Sequence, residues 1–146
     1  MKTWLTDLAG ENLVQPDTQM NGRLPAIQPE AQALVDKWVQ TFNAGRVADL
    51  THFYASDARI VPPGRPALVG PEAACGFFAD IRAQGFRDYV VDLGDMFNKD
   101  LSLVASGRWA LRGPGSGGVL QLYEGNWLNV FVPGPAGWLI AVHMWN

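Results

Sequence analysis

Four polar side chains stand out for chemistry: His143, Asn129, Tyr123 and Tyr54. Residues two apart in an extended strand share a face, so His143, Ala141 and Trp145 form one set in the last strand-like segment. Tyr123, Trp127, Asn129 and Phe131 form another in the segment before it. An imidazole with an ordinary pKa near 6.5 suits proton transfer at neutral pH. Placed beside Asn129, Tyr123 or Tyr54, His143 can act as general acid and base on a small carbonyl compound. The phenols or the amide would then steady the developing oxyanion. The competing expectation is a hydrogen-bonded His143 lining a passive pocket, because no carboxylate partner for the ring is evident.

The other reactive residue types carry less. His52 falls off the Leu50/Phe53/Tyr54 face and reads as a solvent-side residue. Cys75 sits among Ala73, Ala74, Gly76, Phe77 and Phe78 with no activating base or cation nearby, and reads as an inert thiol. Two His and one Cys, far apart, do not make a zinc site, so no metal is expected, and no cofactor. Asp57 reads as a turn-capping carboxylate. The run Gly113–Gly118 joins two strands, whereas a phosphate loop would lead into a helix and carry Lys-Ser/Thr.

The elements that must position these groups follow from periodicity. A helix is predicted from Pro29, with Leu34, Val35, Trp38, Val39 and Phe42 as its apolar stripe and Gly45 as its stop. A short helix over about 46–55 and a brief strand, Arg59–Val61, come next. A third helix runs from Gly70-Pro71-Glu72 to about Gln84. Four strands are predicted at 86–97, 101–112, 119–132 and 138–145, with Tyr89, Val91 and Leu93 sharing a face of the first. Helices first and an antiparallel meander after them mean an α+β domain, a curled sheet covered on its concave face as a half-open cone. Residues 3–14 could form a short amphipathic helix and 15–27 are turn-rich, so 1–27 read as an arm and linker before a domain over 28–146.

The chain has 146 residues, 48% hydrophobic and 17% charged, with six Trp, seven Phe and three Tyr. Ordinary domains carry about 25% charge, so unusually much apolar surface must be hidden in a core, a cavity or an interface. The net charge of −3 provides no basic footprint for nucleic acid. The apolar runs are too short and interrupted to span a membrane. Asp7 and Glu11 break any signal-peptide core, and the cytoplasm is the default compartment.

Three stretches carry a family resemblance. They are Trp38 to Arg46; Tyr54-Ala55-Ser56-Asp57-Ala58 through Pro62-Pro63-Gly64 to Leu68-Val69-Gly70-Pro71-Glu72-Ala73; and Glu124-Gly125-Asn126-Trp127-Leu128 with Gly137-Trp138-Leu139-Ile140 and Trp145-Asn146. In this order they resemble the nuclear transport factor 2-like superfamily, which includes ketosteroid isomerases and SnoaL-like cyclases. The SnoaL-like branch is the nearest, and His143 stands where that branch often has an aspartate. The isomerase machinery does not carry over. Its aspartate base maps to Pro62, its helix tyrosine to Trp38 and its protonated aspartate to Trp127.

The resemblance implies a cone lined by Trp38, Tyr54, Ile60, Pro62, Trp109, Tyr123, Trp127, Phe131 and Trp145, with Arg59 and Arg65 at its mouth. It implies a homodimer through the outer sheet face, which Val90 and Val119 fit. Two functions stay open. One is a cofactor-independent isomerase, cyclase or lyase acting on an apolar carbonyl compound through His143, Tyr54 and Asn129. The other is a non-catalytic ligand-binding or dimeric interaction module, since this fold hosts both.

Overall fold

The computed structural model describes residues 24–146, with side chains from Pro29 onward. The predicted helix at 3–14, and most of the turn-rich stretch after it, lie outside the described residues. Helix α1 spans Leu24–Asn43, so it begins before Pro29 and carries that proline inside its second turn. It buries Ala31, Val35, Trp38 and Phe42, a spacing that keeps one stripe facing inward. Gly45, at φ 78°, ends it. A 3-10 turn over Val47–Phe53 leads into β1, Tyr54–Val61, which is longer than the predicted strand because it starts directly after that turn. Asp57 therefore lies exposed within a strand rather than capping a turn. A two-residue strand β2, Leu68–Val69, was not expected from the sequence. Helix α2, Pro71–Ala83, ends ahead of Gly85 at φ 100°.

Strands β3 (Arg87–Lys99), β4 (Ser102–Pro114), β5 (Leu120–Gly134) and β6 (Gly137–Trp145) form the predicted antiparallel meander. The full sheet has the order β2-β1-β6-β5-β4-β3, with β1 parallel to β6. That parallel pairing was not foreseen, and it matters for function. It lays the segment after the 3-10 turn against the last strand, with Ile60 opposite His143. The sheet is curved and open, and the two α-helices and the 3-10 turn cover its concave side.

Alternation along β5 holds: Trp127, Asn129 and Phe131 are all buried. Alternation along β6 does not. Val142 pairs with Val130 and Ile140 with Phe131, which makes Ala141 the extra residue of a bulge. The buried residues are thus Ile140 and His143, three apart, and Ala141 leaves the face it was expected to share with His143. A second irregularity, between Leu93 and Asp95 on β3, brings the Asp92 carbonyl against Gly107. Any Cβ at residue 107 would collide with that oxygen. Glycine is required there by close backbone approach, not by its dihedral angles.

Candidate functional site

The buried polar groups form a directed chain. Trp38 Nε1 donates to the Tyr54 hydroxyl at 3.0 Å. That hydroxyl lies 2.9 Å from His143 Nδ1. An indole nitrogen can only donate, so the phenol oxygen accepts from Trp38; among the described residues the buried phenol proton has no acceptor but Nδ1, and goes there. This direction leaves the His143 proton on Nε2, which has no hydrogen-bond partner among the described residues. All three side chains are buried.

The imidazole stands in an aromatic cage. The Phe78 ring stacks on it at 5.6 Å, Trp38 meets it edge-on at 5.4 Å, and Trp145 lies at 5.0 Å. Burial among these rings pushes the His143 pKa down to about 3, because an imidazolium would lose its hydration there. The ring is therefore neutral at physiological pH. Its ordinary pKa, on which the proton-transfer expectation rested, is not retained. Burial also raises the Tyr54 and Tyr89 hydroxyls, so both phenols stay protonated.

A cavity of about 230 Å3 opens beside this cage. Of the predicted lining residues it takes Trp38, Pro62, Trp109 and Trp145, together with His143. Arg65 reaches its edge as expected, with the guanidinium 5.9 Å from the centre of the Phe77 ring. Arg59 does not; it points away and bonds the Asp57 carbonyl. A second, narrower cavity of about 20 Å3 lies between α1 and the sheet and holds Trp127, Asn129 and Phe131 in its wall. Trp38, Tyr89 and His143 line both spaces.

Three expected positions need correction. Tyr123 is on the correct face but too far along the β4–β5 hairpin. Its hydroxyl donates to the Pro114 carbonyl at 2.7 Å and its ring packs on Phe86. Ile60 is wholly buried and lines neither cavity. Tyr54 stands behind His143 rather than at the cavity wall, and so reaches a ligand only through the imidazole. Asn129 lies opposite His143 in the β5–β6 pairing, yet the two side chains do not bond each other.

The residues that the sequence reading missed come mainly from α2. Phe77, Phe78 and Ile81 close the larger cavity from the helix side. Their i, i+1, i+4 spacing is a visible helical stripe. Tyr89 and Leu111 complete the sheet side, and the former belongs to the predicted Tyr89/Val91/Leu93 face. Cys75 is outside the site, its thiol pushed up by burial. No group of three potential metal ligands lies together among the described residues. No helix there is long and apolar enough to cross a membrane.

Comparison with solved structures finds the same fold repeatedly. A ketosteroid isomerase-like protein from Erwinia carotovora atroseptica superposes with a TM-score of 0.68 at 16% identity, covering 78% of this chain and 90% of that one. A nuclear transport factor 2-like superfamily protein from Salmonella enterica gives 0.71 at 14% identity, covering 84% and 92%. An NTF2-like protein with a cystatin-like fold from Novosphingobium aromaticivorans gives 0.66 at 16%, covering 91% and 90%. No curated protein matches the sequence. The SnoaL-like domain family matches residues 35–132, which include the C-terminal part of α1, all of α2, and strands β3 and β4 of the cavity wall. With the cone, its order of elements and that match together, the chain belongs to the SnoaL-like domain family and has the nuclear transport factor 2-like fold.

Proposed function

We propose that this protein binds a small apolar molecule carrying a carbonyl oxygen, and polarises that oxygen with the neutral Nε2–H of His143. The observation that carries this reading is the relay from Trp38 through Tyr54 to Nδ1, which fixes the tautomer and leaves the Nε2–H of His143 available to the cavities. Apart from Arg65 at the edge and the Tyr89 hydroxyl, the walls are aromatic and aliphatic, as suits an apolar body with one oriented polar atom. A neutral imidazole is an effective hydrogen-bond donor to a carbonyl.

Catalysis by isomerisation, cyclisation or elimination also needs a proton acceptor. Among the described residues the titratable groups lining the larger cavity are Arg65, Tyr89 and His143, and no carboxylate joins them. Binding with polarisation is therefore favoured over acid–base turnover by His143. The test is infrared spectroscopy of α-tetralone, a bicyclic ketone, added to the protein. A carbonyl stretch shifted to lower frequency in wild type, and unshifted in His143→Phe, supports the reading. An unshifted stretch in saturated wild-type protein sinks it.

We propose further that a second copy covers the outer sheet face. Phe97, Leu128 and Met144 are exposed there, and Val104, Val130 and Val142 stand beside them in register. Val119 sits in the β4–β5 turn rather than on that face. Light scattering at micromolar concentration should give twice the chain mass, and Leu128→Asp should halve it; a wild-type monomer refutes the pairing.

A further inference from the structure

A residue lining the smaller cavity carries an unanswered polar atom. Asn129 Oδ1 is buried with no hydrogen-bond partner, in a residue only 7% exposed. Buried amide oxygens are seldom left so, because each forfeits its bonds to water. Asn129 and His143 face the same cavity from paired positions on β5 and β6. One offers an acceptor, and the other offers the free Nε2–H deduced above. The space between α1 and these strands, about 20 Å3, is sufficient for one water molecule and not for an organic ligand. Of the other polar groups in the lining, Trp38 Nε1 is engaged with Tyr54 and Trp127 Nε1 donates to the Asp92 carbonyl at 3.1 Å, which leaves the Tyr89 hydroxyl on the wall shared with the larger cavity.

We infer that the smaller cavity is an oxygen subsite, occupied in the free protein by one internal water held between Asn129 and His143, and taken over by the ligand's carbonyl oxygen on binding. The water accepts from Nε2–H and donates to Oδ1. The ligand oxygen accepts from Nε2–H and, after rotation of the Asn129 amide, from its Nδ2–H. The shared wall of Trp38, Tyr89 and His143 makes the two spaces neighbours, so an apolar body in the larger one can project its oxygen into the smaller. The second half of this inference rests on the ligand reading proposed above; the water does not.

Two measurements test it. A high-resolution crystal structure of the ligand-free protein should show one solvent atom about 2.7–3.2 Å from both Asn129 and His143 Nε2. No such atom overturns the subsite. Affinities are then compared for α-tetralone and tetralin, which share a carbon skeleton and differ by the carbonyl. Wild type should prefer the ketone by about tenfold, the scale of one net hydrogen bond. Asn129→Leu should remove that preference while holding tetralin within about twofold. Equal wild-type binding of both compounds overturns the exchange of water for ligand oxygen and leaves the apolar cavity as a binding site. Binding of neither refutes the ligand reading itself, and the exchange with it. The wild-type measurements stand even if the variant fails to fold.

Discussion

The Tyr54 hydroxyl lies 2.9 Å from His143 Nδ1, joining the start of β1 to the end of β6 across the parallel strand pair. The contact does more than link two strands. It decides which imidazole nitrogen bears the proton, because the phenol oxygen accepts from Trp38 and its buried hydrogen has no acceptor but Nδ1 among the described residues. A residue distant from the ligand thereby sets the polarity of the site.

Tyr54→Phe should release that control. Both the Trp38 indole N–H and His143 Nδ1 would lose their partner while still buried. A loss of about 1–3 kcal/mol in unfolding free energy is expected from orphaned buried groups. Nitrogen NMR of the imidazole should report the Nε2–H form in wild type and a mixture of tautomers in the variant. A single unchanged tautomer in Tyr54→Phe would mean that the relay does not fix the proton.

Stability should depend on pH through His143. Its folded pKa, about 3, lies below the unfolded value near 6.5. Between these values the unfolded chain binds the extra proton, so acid favours unfolding. The contribution is complete above pH 6.5 and is lost as pH falls toward 3, at about 1.4 kcal/mol per pH unit. Denaturant titrations of wild type and His143→Phe across that window isolate it. The difference in unfolding free energy should move against wild type as pH drops; parallel curves would contradict a buried neutral imidazole.

Periodicity made much of this legible. The stripe holding Trp38, the alternation of Trp127, Asn129 and Phe131, and the choice of His143, Tyr54 and Asn129 as the polar set all came from spacing and residue type. What spacing cannot give is distance along a strand or a change of phase. Tyr123 occupies an inward-facing position, opposite Leu111, but β4 and β5 run long enough to carry it out to Phe86 and Pro114. The Ala141 bulge moves the buried set of β6 by one residue with no proline or glycine to announce it. The depressed His143 pKa depends on Phe78 and Trp38, brought from two other parts of the chain, and so appears only once the helices lie on the sheet.

Gly107→Ala should damage the fold out of proportion to one methyl group. The added Cβ would meet the Asp92 carbonyl, and that same oxygen accepts from Trp127 Nε1. Relief requires β3 and β4 to part at the bulge, at the expense of the indole hydrogen bond. The loss should be on the order of 2–3 kcal/mol, at the upper end for a single substitution. A thermal melt measures it, and an unshifted midpoint would show that β3 yields without strain.

Ile81→Trp separates the cavity from the stability of the domain. Ile81 projects from α2 into the larger space without being fully buried, so an indole there can occupy volume now left to a ligand. It takes no part in the Trp38–Tyr54–His143 hydrogen bonds and does not line the smaller cavity. The added apolar contact should hold the melting midpoint at or above that of wild type, since a filled cavity gains burial where an overpacked core gains strain. Binding of α-tetralone and tetralin should fall together, by at least tenfold, because the body of both compounds is excluded before the oxygen matters. Retention of either ligand by a well-folded Ile81→Trp protein would place the apolar site somewhere other than this cavity.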